Sequence, residues 1–130
     1  MSVFLDANVA MYLVGAAHPN RDRVVEILDG LVLGDNTLVT DAEVFQELLH
    51  RYAAVARPDA LADAYRVMQE LTDEVYPVTL ADVDSAKALV LDGVGARDAI
   101  HVATMRAHRV RRIVSFDRDF DRFSDLERIH

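Results

Sequence analysis

Apolar residues along this chain fall into two kinds of run that alternate. Val3, Phe4 and Leu5 are consecutive, which suits a strand buried on both faces, and the run stops abruptly at Asp6 and Asn8. Similar short runs recur at residues 37–40 (TLVT), 75–78 and 112–116 (RIVSF), and residues 127–129 form a candidate edge strand. Between them the apolar positions recur every three or four residues, as on one face of a helix. Residues 9–14 predict a short helix ending at Gly15, and Pro19 opens a second, striped by Val24, Val25, Ile27, Leu28 and Leu31. Val44, Phe45, Leu48, Leu49 and Tyr52 mark a third; Pro58 breaks it and starts a fourth through Leu61, Tyr65, Met68 and Leu71. Residues 82–91 and 96–107 predict two more, separated by a break at Gly93 and Gly95. Strands alternating with helices require crossover connections, hence an α/β fold with a mostly parallel sheet covered by helices on both faces.

Composition narrows the setting. At 130 residues the chain has the size of one domain, 1–130, and 52% hydrophobic with 28% charged residues is a globular balance. The absence of cysteine removes disulfides, thiolate metal sites and cysteine nucleophiles, and points to the cytoplasm. No run approaches the length that spans a bilayer, and the first residues lack a signal-peptide pattern, so no membrane partner is expected. A net charge of -8 argues against a general polyanion binder. Arginine nevertheless outnumbers lysine thirteen to one, and a local basic rim beside a metal-filled acidic centre could hold a phosphodiester.

Four acids carry the candidate chemistry: Asp6, Glu47, Asp98 and Asp117, each assigned to a separate strand-to-helix junction. Ligands of open parallel sheets bind beyond the carboxyl ends of the strands, and a buried carboxylate there is costly unless paired or bound to metal. Asp6 sits too early to cap a long helix persuasively, although an Asx turn with Asn8 is open to it. Thr40 and Glu43 have capping-box spacing, leaving Glu47 without a local role; a cation would relieve its repulsion with Glu43 one turn away. Asp98 lies in the first turn of its helix, where the dipole alone favours an acid, but the preceding glycines allow close backbone approach. Asp117 and Asp119 follow the fourth strand; one of them can cap the turn anchored by Phe120 and Phe123, with Ser115 adding a hydroxyl. His101 is within reach of Asp98, although a satisfied core histidine is the commoner outcome. Carboxylates without cysteine or paired histidines select hard cations, Mg²⁺ or Mn²⁺, which activate water and neutralise charge in displacement at phosphorus.

With these residues in place the chain resembles the PIN-domain ribonucleases, in particular the VapC-type toxins of toxin and antitoxin pairs. The motifs that carry the resemblance are FLDAN at Asp6 and Asn8, VTDAEVFQELLHRY at Glu47, ARDAIHVATM at Asp98, and IVSFDRDF at Ser115, Asp117 and Asp119. It implies a three-layer α/β/α sandwich with a sheet of four or five strands and an acidic pocket for divalent metal. Asp6, Glu47 and Asp98 match the family's three central acids, Asp117 the fourth in preference to Asp119, and Asn8 the polar residue after the first acid. Ser115 stands where the family often has Thr, which keeps the hydroxyl. The resemblance also implies an RNA substrate, a small cognate antitoxin whose tail covers the pocket, and a family habit of homodimerisation. Haloacid-dehalogenase phosphatases and receiver domains fit less well, since position 8 is Asn and the single lysine, Lys87, lies mid-helix. The non-enzymatic alternative is a catalytically inactive PIN-like module that acts through a protein partner.

Overall fold

The computed structural model describes residues 1–130 and contains one five-stranded sheet, entirely parallel, in the order β3-β2-β1-β4-β5. The strands are β1 Ser2–Leu5, β2 Thr37–Asp41, β3 Glu74–Tyr76, β4 Arg112–Val114 and β5 Glu127–Ile129. Six helices connect them: α1 Ala7–Val14 and α2 Pro19–Leu33, α3 Ala42–Ala54 and α4 Pro58–Leu71, α5 Leu80–Leu91 and α6 Ala96–Ala107. A 3₁₀ turn, Arg118–Arg122, joins the last two strands. The sheet grows outward from β1 in both directions, and right-handed crossovers then place α1 to α4 on one face and α5 and α6 on the other. This is the three-layer arrangement expected from the alternating pattern. The central strand carries the apolar weight, for Val3, Phe4 and Leu5 are all fully buried. No helix is long and apolar enough to cross a membrane.

Several local expectations shift, each for a physical reason. Helix α1 begins two residues early because Asp6 does cap it, accepting a hydrogen bond from the Ala7 amide at 2.8 Å. The capping box at Thr40 and Glu43 does not form. Thr40 donates its hydroxyl across the sheet to the Leu5 carbonyl at 2.8 Å, and Asp41 caps α3 by accepting from Val44 N–H at 3.0 Å. A true capping box stands at the head of α5, where Thr79 and Asp82 bond reciprocally, so that helix starts at Leu80 rather than 82. β3 stops at Tyr76 because Pro77 has no N–H for the ladder. β4 stops at Val114, where Ser115 turns its hydroxyl toward β1.

The direction of strand growth reverses between β1 and β4. Such a reversal leaves a crevice at the carboxyl ends of the two strands, since the helices following them leave on opposite faces. Asp6 ends β1, and Ser115, Phe116 and Asp117 follow β4. The topology therefore builds a site where the first acid already stands.

Candidate active site

Asp6, Glu47, Asp98 and Asp117 line one cavity of about 280 Å³ at this crevice, together with Asn8, Met11, Tyr12, Arg51 and Phe116. Parallel strands, all with their carboxyl ends at one edge, account for Asp6 and Asp117. Glu47 arrives differently: it lies in the second turn of α3, not at a strand end, and reaches the cavity along the helix face. The acid that actually ends β2 is Asp41. Asp98 does not stand at a strand-to-helix junction either: it comes from the first turn of α6, which follows α5, and its N-cap Gly95 has no side-chain cap.

Asp6 is held from several sides. Its Oδ2 accepts from the Ser115 hydroxyl at 2.6 Å and from the Asn8 amide at 3.4 Å, while its Oδ1 accepts from Ala7 N–H. Ser115, fully buried, in turn accepts from Asn8 Nδ2 at 3.2 Å and from Asp117 N–H at 3.0 Å. One hydroxyl thus ties the end of β1 to the loop after β4. Asn8 Oδ1 is buried and has no partner.

Charge accumulates in the cavity. Burial, then the carboxylates of Asp117 and Asp6, push the Asp98 carboxyl up to about 7. Burial and then Asp6 raise Glu47, against opposing contributions from His101, Arg51 and Arg97. Arginines relieve the repulsion between the two glutamates of α3: Arg51 meets Glu47 at 3.3 Å and Arg97 meets Glu43 at 3.7 Å. Two groups of carboxylates and imidazole lie close enough to share an ion, Asp6 with Glu47 and His101, and Asp98 with Asp117 and Asp119. Asp117 also caps the 3₁₀ turn, accepting from Asp119 N–H at 2.9 Å. Asp119 is exposed and lies outside the cavity lining.

Sequence reasoning missed a buried network behind the cavity. His101 does not reach Asp98; its Nδ1 meets Asp41 Oδ2 at 2.8 Å, and Thr104 donates to the same oxygen at 2.8 Å. All three residues are fully buried. Burial is the largest single influence and disfavours the imidazolium, but the charge and hydrogen bond of Asp41, together with the charges of Asp6 and Glu47, overcome it and raise the His101 pKa to about 9. The other ring nitrogen, Nε2, has no hydrogen-bond partner and sits 4.0 Å from Asp6 Oδ1. A legible signal existed: an aspartate directly after an apolar strand and three residues before Val44 is a helix N-cap.

Residues 3–126 match the family model described as PIN domain. The chain belongs to the PIN-domain family. Ribonuclease VapC13 of Mycobacterium tuberculosis is 40% identical to this PIN domain over 129 residues, covering 98% of both chains. Ribonuclease VapC23 of the same species is 42% identical over 117 residues, 88% of this chain and 92% of the relative. Among solved structures, VapBC2 from Rickettsia felis, bound to a promoter DNA fragment, superposes with a TM-score of 0.77 at 15% identity, covering 99% of this chain and 98% of that one. VapC20 of Mycobacterium tuberculosis, described as a sarcin-ricin loop cleaving toxin, gives a TM-score of 0.76 at 18% identity, covering 95% and 98%. At those identities the superpositions speak to the PIN fold.

Proposed function

We propose that this PIN domain is a divalent-metal-dependent ribonuclease that hydrolyses RNA phosphodiesters as the toxin of a VapBC-type pair. The observation that carries the reading is the single cavity lined by Asp6, Glu47, Asp98 and Asp117. The donor set suits a hard cation: all four side chains offer carboxylate oxygen, and Asp98, raised first by burial, is raised further by the charges of Asp117 and Asp6 beside it. Mg²⁺ or Mn²⁺ is the expected ion. Asp6 and Asp98 would hold it, with Glu47 and Asp117 completing its shell or forming part of a second. A divalent cation there supplies Lewis-acid chemistry, making water a better nucleophile near neutral pH and offsetting charge at phosphorus.

The surrounding residues keep those oxygens in place. Ser115 spends its only proton on Asp6 Oδ2, so it orients the carboxylate rather than the phosphate. Asn8 steadies the same pair through its amide nitrogen. His101 is a positioning residue, facing Asp6 with Nε2 while Asp41 grips Nδ1. An inert binding module has no use for so much mutual repulsion in one cavity, which counts against that alternative.

The ribonuclease names of the close relatives and the VapBC pairs among the structural neighbours support an RNA substrate and a cognate antitoxin. The direct test is cleavage of structured RNA with Mg²⁺, with EDTA, and after Asp6→Asn or Asp98→Asn. Each variant should lose at least about 100-fold in rate, on the order of what one preorganised electrostatic group contributes. Undiminished cleavage by both variants would refute the assignment.

A further inference from the structure

Beside the acid cavity lies a second cleft of about 400 Å³, and the two share Asn8, Met11, Tyr12 and Arg51 in their linings. Clefts of this size accommodate a small organic group. The second cleft carries no acid. Its floor is the bend after α1, Gly15, Ala16 and Ala17, where small residues leave room. One wall is the Tyr12 ring, whose plane is braced by Phe116 packed edge-on at 5.2 Å and 76°. His18 adjoins Tyr12 at 5.1 Å and is anchored as the N-cap of α2, with Nδ1 accepting from Asn20 N–H at 3.0 Å. A planar ring could not slide between them, because sandwiching it needs about twice the 3.4 Å rise of stacked bases. It would lie against them, on a rigid aromatic platform.

Arg51 stands where the two spaces meet and is the only arginine or lysine lining either. Glu47 holds one side of its guanidinium at 3.3 Å, and its side chain is still 54% exposed. An anchored, open guanidinium between an apolar cleft and a carboxylate cluster matches a phosphate linking a base on one side to a reacting phosphodiester on the other.

We propose that this cleft is a nucleobase subsite: it takes one unpaired base of the RNA beside the phosphodiester at the acids, with Tyr12 as the stacking platform and Arg51 on the intervening phosphate. The subsite rests on the ribonuclease reading of the acid cavity. A base still paired in a duplex cannot occupy it, because stacking on Tyr12 requires the base to be splayed out of its helix.

The test uses a short single-stranded RNA carrying 2-aminopurine, bound to the Asp98→Asn protein in Mg²⁺ so that cleavage does not intervene. Stacking on Tyr12 should quench the fluorophore. Adding Tyr12→Ala should abolish the quench and weaken binding about ten-fold, within the range for one base on an aromatic platform, and Tyr12→Phe should restore both. Ala17→Leu at an exposed position removes no packed side chain, so it guards against misfolding, and it should weaken binding by filling the cleft. In the otherwise wild-type protein the KM for RNA should rise in both variants relative to that for the same RNA made abasic at the nucleotide beside the cut. If the protein cuts neither substrate with Mg²⁺ or Mn²⁺, the ribonuclease reading falls and the subsite with it. If it cuts both while Tyr12→Ala and Ala17→Leu leave RNA binding and quenching intact, the subsite alone is wrong. Variants that impair only capture of a cognate antitoxin would make the cleft a protein-docking groove and overturn the proposal.

Discussion

Asp6 and Asp41 end adjacent parallel strands, and continuing the register in which Phe4 pairs Val39 sets them side by side. Both are buried, both cap the helix that follows, and their surroundings are opposite. Asp41 is surrounded by donors: the Val44 amide, the Thr104 hydroxyl and the His101 imidazole. Asp6 has donors on its β4 side but faces Glu47 and Asp98 across the cavity, and both of those acids have raised pKa values in which its charge takes part. Equal position on the sheet therefore does not make equal chemistry. A carboxylate fully met by donors holds the fold, whereas one set among its own kind creates demand for a cation.

The sharpest way to break this contrast is to remove the satisfied acid. Asp41→Ala removes the carboxylate that keeps His101 protonated and leaves the Val44 amide, the Thr104 hydroxyl and the His101 ring without their shared partner, and should cost about 3 to 5 kcal/mol in denaturant unfolding. A loss below about 1 kcal/mol would place Asp41 with the cavity acids instead. Next comes metal. Mn²⁺ at about 100 times its Kd should stabilise the wild type by about 2.7 kcal/mol, read as a rise in Tm, and much less after Asp98→Asn.

Removing the unsatisfied acid should do the reverse of removing Asp41. The Asp98 carboxyl titrates near 7 in the folded protein, well above its ordinary value, so ionising it at higher pH costs stability. In EDTA at pH 8, Asp98→Asn should gain on the order of 1 kcal/mol, discounted for solvent screening, and the gain should fade as pH falls through 7 and vanish near the ordinary carboxyl value of about 4. The variant expected to lose cleavage should thus melt higher when metal is absent. The smallest expected effect is Thr104→Val, about 1 kcal/mol for one buried hydrogen bond to Asp41.

The His101 and Asp41 pair also has a pH signature of the opposite sign. With the imidazole pKa raised to about 9, its contribution is complete below about 6.5 and is lost as pH climbs through 9. Melting temperatures between pH 7 and 10 should therefore decline in the wild type, and Asp41→Asn should flatten that decline.

Much of the architecture was legible in the chain. Apolar runs ending in Asp6 or Asp41, Pro19 and Pro58 at helix starts, and Gly93 and Gly95 ahead of α6 are local signals, and the elements follow them to within a few residues. The illegible parts all depended on a partner distant in sequence. Thr40 has the right type and spacing to cap α3, but Leu5 lends it a carbonyl from the next strand. His101 shares a helix face with Asp98, yet its ring turns inward to Asp41. The paired roles of Tyr12 and Arg51 were hidden because one lies in α1 and the other in α3.

Hydrophobic period alone determined that this chain alternates strands with helices, and the residues themselves place an acid at the close of the first two apolar runs, Asp6 and Asp41, because such patterns repeat over a few residues and need no knowledge of the rest. Only the folded topology decided which acids meet. Setting β1 beside β4 brings Ser115 onto Asp6 across 109 residues, and no local preference encodes a contact of that span. The crossovers choose it, because their handedness sends the helices to opposite faces and opens the crevice between those two strands.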